Sequence, residues 1–315
     1  MHEYCFASNI GFMMIFKHST GIKMLTKISQ VLAIGLAACF FSACGGGGSG
    51  SGGTAGTAGT GSTGSTSASD QSLVSAEFAQ DTVAAPSLNS DQRRRAESLM
   101  SIWENGEPVK AYGYAENIDD GRGVTWGWVG FTTADGDAIA VVEEFERRHP
   151  NNPLTPFLKQ VRNKNVTDEA GFIRAVAASD QGEFKKDFEA AQNQQSDLKY
   201  YNPALEQAAQ LGLKTAAGIA ELYDSDINHG VDGVNAIIKE TNLTVGSSPA
   251  EGADEIRWLS TYLDIRYRIL AADNTWKTST DRATIFKSAI VVVGNLNLNG
   301  PIHIESPQYG NFDIP

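Results

Sequence analysis

The sequence predicts an α+β protein, mainly α-helical, built as two lobes with a small antiparallel sheet and a cleft between them. Three observations point there. Apolar residues recur at helical spacing through most of residues 87–315. Two short aromatic runs flank a Gly-rich turn near the start of that stretch, the pattern of a β-hairpin. The three cysteines, Cys5, Cys39 and Cys44, all precede it, so the folded part has neither a disulfide framework nor a Cys-based zinc site.

Taken in order, residues 1–44 read as an export signal. Lys23 and Lys27 precede an apolar run over 31–41, and Met24 offers a second start. Eleven apolar residues suit a signal peptide and fall short of the about 18 needed to span a bilayer. The run ends in Phe41-Ser42-Ala43-Cys44, which resembles a bacterial lipobox with Phe41 where Leu is preferred. Lipidation at Cys44 would anchor the mature protein, and cleavage by the ordinary signal peptidase would release it. Residues 45–86 are predicted as a flexible linker. Gly, Ser, Thr and Ala dominate its first half, which holds 11 of the chain's 32 glycines and cannot bury a core. Its root-mean-square reach is about 35 Å, so the domain at 87–315 is held off a surface.

Within that domain, Ser90 is placed to cap a helix over 91–103. Hairpin arms follow over 111–118 and 124–131. A helix starts at Asp137, with Ile139, Val142 and Phe145 on one face. Further helices are expected from Pro153, around Phe172, around Phe184, over 203–211 and over 216–227. Residues 254–270 carry Ile256, Leu259, Leu263 and Tyr267 at helical spacing, and a last helix is expected over 282–293.

Charge narrows the function. The chain carries 25 Lys plus Arg against 37 Asp plus Glu. Removing residues 1–44 takes away three Lys and one Glu, which leaves a charge of −14. Phosphate backbones and anionic membranes repel such a surface, whereas a polycation is steered toward it. Nucleotide-loop, zincin and serine-hydrolase motifs are absent. His149, His229 and His303 are too scattered for a metal motif, and Asp135-Gly-Asp137 is only a fragment of a calcium loop. No metal, organic cofactor or oligomer is expected. Glu104 ends the first helix and Asp120 sits in the hairpin turn, so two carboxylates can face one another across a groove, as glycoside hydrolysis requires. Spacing alone also fits solvated surface acids.

The surrounding residues are specific. Glu104-Asn105, Tyr112-Gly-Tyr114-Ala-Glu116-Asn, Asp120-Gly-Arg122-Gly-Val-Thr125-x-Gly127 and Gly130-Phe131-Thr-Thr-Ala-Asp-Gly-Asp137 together resemble the glycoside hydrolase family 46 chitosanases, notably the Bacillus branch. The likeness continues through Tyr200-Tyr201-x-Pro203, Gly212-Leu-Lys-Thr215, Tyr223-Asp224, His229-Gly230, Leu263-Asp264-x-Arg266-Tyr267, Asn297-Leu-Asn-Gly-Pro-Ile-His303 and Tyr309-Gly-Asn-Phe312.

The resemblance implies a lysozyme-like fold and endo-hydrolysis of the β-1,4 bonds of chitosan, a polycationic glucosamine polymer, with inversion. It makes Glu104 the general acid, Asp120 the general base and Thr125 the residue that helps place the attacking water. Inversion calls for carboxyl groups roughly 6.5–9.5 Å apart. The resemblance also assigns Asp224, Arg266 and Arg282 to a buried charge network, and Tyr114, Arg122, Asp137, His229 and Asp273 to the substrate. Each has a blander alternative. Arg266 can snorkel to solvent, Arg122 can brace the turn, Asp137 can serve its helix N-terminus, and His229 can be a packed histidine. Trp126 and Trp128 can stack on sugars or fill the core. After His229-Gly230 the family usually carries a longer acidic segment; here Val231-Asp-Gly-Val-Asn leads almost directly into a helix, which implies a shorter or more open groove. Two other readings are a lysozyme-like muramidase, whose polyanionic substrate the charge disfavours, and a non-catalytic sugar-binding lipoprotein, which does not need Glu104, Asp120 and Thr125 together.

Overall fold

The computed structural model describes residues 86–273 and 276–315. The export signal with Cys44, and the linker as far as residue 85, lie outside the described residues. Among the described residues no helix is long and apolar enough to cross a membrane, and no three His, Cys, Asp or Glu gather as metal ligands.

Helix α1 (Ser90–Asn105) is capped by Asn89, one residue earlier than the sequence suggested. The Asn89 side chain accepts from the Gln92 amide at 2.9 Å, and the Gln92 side chain accepts from the Asn89 amide at 3.0 Å. This reciprocal pair satisfies two orphan donors, which a serine at position 90 could not do. Gly106 ends the helix with φ 77°, a left-handed turn that glycine adopts without strain. Ala96, Leu99, Met100 and Trp103 form the buried stripe, so Glu104 emerges on the last turn beside the core.

A three-stranded antiparallel sheet follows: β1 (Ala115–Asn117), β2 (Val124–Trp126) and β3 (Phe131–Thr132). Thr125 pairs with Glu116 on one side and Thr132 on the other. Trp126 points to the opposite face, where its ring lies 6.0 Å from that of Phe188 at a 12° tilt. Trp126 and Trp128 are both fully buried. They are core residues and not sugar platforms.

Helices α2 (Asp137–Arg148) and α4 (Glu169–Ser179) pack on this sheet, and the short α3 (Leu158–Arg162) packs on α2. Next, α5 (Lys185–Ser196) and α6 (Asn202–Leu211) are joined without a loop by a π-helical segment, Asp197–Tyr201. Pro203 explains it: proline lacks an N–H and clashes with the carbonyl four residues back, and a wider turn relieves both. The second half comprises α7 (Ala216–Val245), α8 (Glu255–Ala272), α9 (Asp281–Phe286), which runs into a second π-helical segment, and a hairpin of β4 (Ile302–Ser306) and β5 (Gly310–Ile314). That hairpin is a second sheet, where the sequence suggested one. Its signal was present in the buried, exposed, buried alternation of Ile302, His303 and Ile304. α7 is kinked at Gly230, the one residue inside it with non-helical geometry (φ 68°, ψ 163°).

Candidate active site

Glu104 is almost buried, its side chain 7 % exposed, and the Arg282 guanidinium lies 2.7 Å from Oε1. The same guanidinium donates to Asp224, from Nη2 to Oδ1 at 2.8 Å and from Nε to Oδ2 at 3.2 Å. Behind it, Arg266 reaches Asp224 at 2.7 Å and Glu221 at 2.7 Å. Arg266 is fully buried and does not snorkel. An unpaired guanidinium there would be expensive, so the carboxylates on both sides are needed. Two guanidiniums thus face three carboxylates. Burial alone would raise the Asp224 carboxyl, yet Arg282 and Arg266 hold it down to about 2. Burial raises the neighbouring Glu221 carboxyl to about 7, against the pull of Arg266.

His229 closes this chain of contacts. Arg266 Nε donates to its Nε2 at 3.3 Å. A guanidinium can only donate, so the imidazole proton is on Nδ1. Burial, then the charges of Arg266 and Arg282, push the imidazole well below its ordinary value against the pull of Asp224. His229 is neutral.

Asp120 belongs to the turn between β1 and β2. Asp119 (φ 56°), Gly121 (φ 82°) and Gly123 (φ 74°) are left-handed there, which bends the turn back on itself. The Arg122 amide donates to Asp120 Oδ1 at 3.0 Å, and its side-chain Nε and Nη2 reach Oδ2 at 2.8 and 2.6 Å. Asp120 keeps only 3 % side-chain exposure. Arg122 is therefore engaged in aiming this carboxylate. Thr125, 2 % exposed in the neighbouring strand, has a buried hydroxyl with no hydrogen-bond partner among the described residues.

Asp137 starts α2. Its Oδ1 accepts from the Thr132 amide at 2.8 Å and the Thr132 hydroxyl at 3.3 Å, and its Oδ2 accepts from Lys199 Nζ at 3.0 Å. Tyr200 is buried next to this pair. Burial pushes its phenol up to about 12; Lys199 opposes the shift, while Asp137 and Glu104 add to it.

Other expected contacts are less integrated. Tyr114 donates to Glu116 at 3.2 Å, and burial, then Glu116, raises its phenol. Asp273 follows α8 and accepts from the Trp276 amide at 3.3 Å. Sequence reasoning missed Lys199, Tyr200 and Glu221 as site residues. Glu221 had a signal, being an acid one turn before Asp224 and following the apolar run Ala216–Ala220. Lys199 had none, because its partner is 62 residues away.

The comparisons fit this geometry. Residues 98–302 match the model of glycosyl hydrolase family 46. A chitosanase of Bacillus subtilis (strain 168) is 43 % identical over 247 residues, 74 % of this chain and 89 % of that protein. One from Streptomyces sp. (strain N174) is 32 % identical, covering 66 % and 76 %. A crystal structure of a mutant chitosanase from Bacillus subtilis MY002, complexed with six GlcN, matches with a TM-score of 0.67 and 42 % identity over 73 % of this chain and all of that one. A Gynuella sunshinyii chitosanase bound to chitotetraose matches with a TM-score of 0.66 and 36 % identity, covering 73 % and 99 %. The mainly helical architecture with small antiparallel sheets is lysozyme-like, as in these neighbours. With its family match spanning the residues that carry both buried carboxylates, the chain belongs to glycosyl hydrolase family 46.

Proposed function

We propose that this chain hydrolyses internal β-1,4 bonds of chitosan with inversion, Glu104 acting as general acid and Asp120 as general base. The observation that carries this reading is the pair of buried carboxylates on separate elements, each held by its own guanidinium, in a chain whose relatives are chitosanases. Glu104 protonates the leaving glycosidic oxygen. Asp120 takes a proton from a water that attacks the anomeric carbon from the other face, giving an α product from a β bond. Arg122 supports the base by fixing both of its oxygens. The Thr125 hydroxyl, which has no hydrogen-bond partner among the described residues, suits a role in holding that water. Asp137 faces the ammonium of a glucosamine unit, and the acidic protein draws in the polycation.

The test is hydrolysis of highly deacetylated chitosan, followed by viscosity, by new reducing ends and by the anomer first released in proton NMR. A rapid viscosity drop with initial α product is expected. Glu104→Gln and Asp120→Asn should each lower kcat by about a hundredfold to ten-thousandfold while polymer binding persists. Cleavage of peptidoglycan in place of chitosan would overturn the substrate, and binding without cleavage would overturn the enzyme. We also propose that the chain is exported, acts as a monomer and is anchored through Cys44. Radiolabelled fatty acid should enter the wild type and not Cys44→Ser.

A further inference from the structure

Asp137 has one oxygen committed to the protein and one held by a cation. The Thr132 amide donates to Oδ1 at 2.8 Å, and the Thr132 hydroxyl, 3.3 Å from Oδ1, has its shorter bond to Asp135 Oδ2 at 2.9 Å. Oδ2 faces the Lys199 ammonium at 3.0 Å. Lys199 rides on the π-helical segment beside Tyr200, and its Nζ lies 5.2 Å from the centre of that ring. Burial opposes its charge, but Tyr200 and Asp137 hold the ammonium above its ordinary value, so it stays protonated. Its side chain is 46 % exposed. To a carboxylate, a lysine ammonium and the ammonium of a glucosamine unit are the same chemistry: compact cations with three donors. They compete for one oxygen.

We propose that Lys199 is a specificity-determining residue, a resident competitor at Asp137 that an incoming glucosamine ammonium must displace, and that it weakens this subsite's preference for glucosamine over N-acetylglucosamine. The inference rests on the reading of Asp137 as a substrate-facing carboxylate of a chitosanase. Displacement exchanges one ion pair for another, so part of the substrate's attraction is cancelled. A neutral N-acetylglucosamine unit displaces nothing and leaves Asp137 paired with Lys199. Without Lys199 that unit would cover an unpaired carboxylate, and discrimination would sharpen.

The experiment uses the full chain, a glucosamine hexamer and a partly acetylated chitosan, with wild type, Lys199→Met, Lys199→Arg and Asp137→Asn compared after their thermal midpoints. A half-exposed ion pair of this kind corresponds to about a two- to fivefold change in affinity. Lys199→Met should therefore lower KM for the hexamer by that factor. It should also raise the preference for the hexamer over acetylated substrate, while Lys199→Arg stays near wild type. If Lys199→Met does not fold, Lys199→Gln replaces it with the same expectation. An unchanged or higher KM in the neutral variant, with Asp137→Asn raising KM, overturns the proposal and leaves the function standing. Chitosan cleavage with an unchanged KM in Asp137→Asn overturns the subsite and the proposal together. A wild type that does not cleave chitosan overturns the function itself.

Discussion

Arg282 donates to two carboxylates at once, Glu104 at 2.7 Å and Asp224 at 2.8 Å, and it is 1 % exposed. Both bonds leave Nη2 while Nε reaches the other Asp224 oxygen at 3.2 Å, a forked grip on Asp224 that a single ammonium does not reproduce. Arg282→Met would take this guanidinium from Glu104 and leave Asp224 with Arg266 alone of its two guanidiniums. Breaking a buried pair in this way costs about 3–5 kcal/mol, so the thermal midpoint of the variant should drop well below that of wild type in a melting experiment. Arg282→Lys should recover only part of the loss, because a single ammonium is a point charge. Unchanged melting in Arg282→Met would mean that Asp224 and Glu104 find other partners. Arg122 bears on activity instead. It is only partly buried, and its three donors fix the direction of Asp120. Arg122→Ala should lower kcat about a hundredfold, as loss of orientation does, with little change in melting.

At the scale of elements, the π-helical segment Asp197–Tyr201 decides which way Lys199 and Tyr200 point. Removing Leu198, whose side chain is largely exposed, would let α5 and α6 join as ordinary α-helix. Residues of a π turn are spaced more closely around the axis than the about 100° of an α-helix, so Lys199 and Tyr200 would change direction relative to α5 and α6. Activity on chitosan should fall about a hundredfold while the far-ultraviolet circular dichroism stays helical; full activity would show that the segment does not position the site. Gly230 makes a different kind of joint. Its φ of 68° with ψ of 163° is a conformation that side chains avoid, and a methyl group there would meet nothing within 4 Å. Gly230→Ala should therefore cost about 1–3 kcal/mol through the backbone alone, read as a lower midpoint in chemical denaturation. The sequence marked this joint, because the short stretch after His229-Gly230 led straight into helical periodicity. It did not mark the π segment. Proline at 203 suggested a helix start, and only the packing of α5 against α2 and of α6 against α7 holds the two as one rod.

For the molecule as a whole, buried acids set the response to pH. Asp226 is fully buried; Gln207 donates to its Oδ1 at 3.4 Å, and its Oδ2 has no hydrogen-bond partner among the described residues. Burial pushes its carboxyl up to about 7, with Gln207 opposing. An unfolded aspartate titrates near about 3.9, so the folded state holds the proton more tightly. The resulting stability is fully present below that unfolded value and is lost as pH rises through about 7. The protein should melt at a higher temperature at mildly acidic pH than at mildly alkaline pH, and Asp226→Asn should flatten that slope. A slope unchanged in the variant would assign it to other groups, Glu221 first, whose carboxyl burial also raises. Mild acid is also where an amine polymer is most highly charged.

The sequence by itself determined the helical order, the hairpin that carries Asp120, the placement of Glu104 at a helix end and the family. These are local: periodicity, turn glycines and contiguous motifs are written within a few residues of each other. It also determined the excess of negative charge, which is a sum and needs no geometry. The tertiary structure alone decided which cation answers which carboxylate. Arg282 and Glu104 are far apart in the chain, as are Lys199 and Asp137, and nothing local distinguishes a buried arginine from one that reaches solvent. Pairing of that kind depends on which surfaces lose their water when the helices pack, because burial is what makes an unpaired charge too costly to keep.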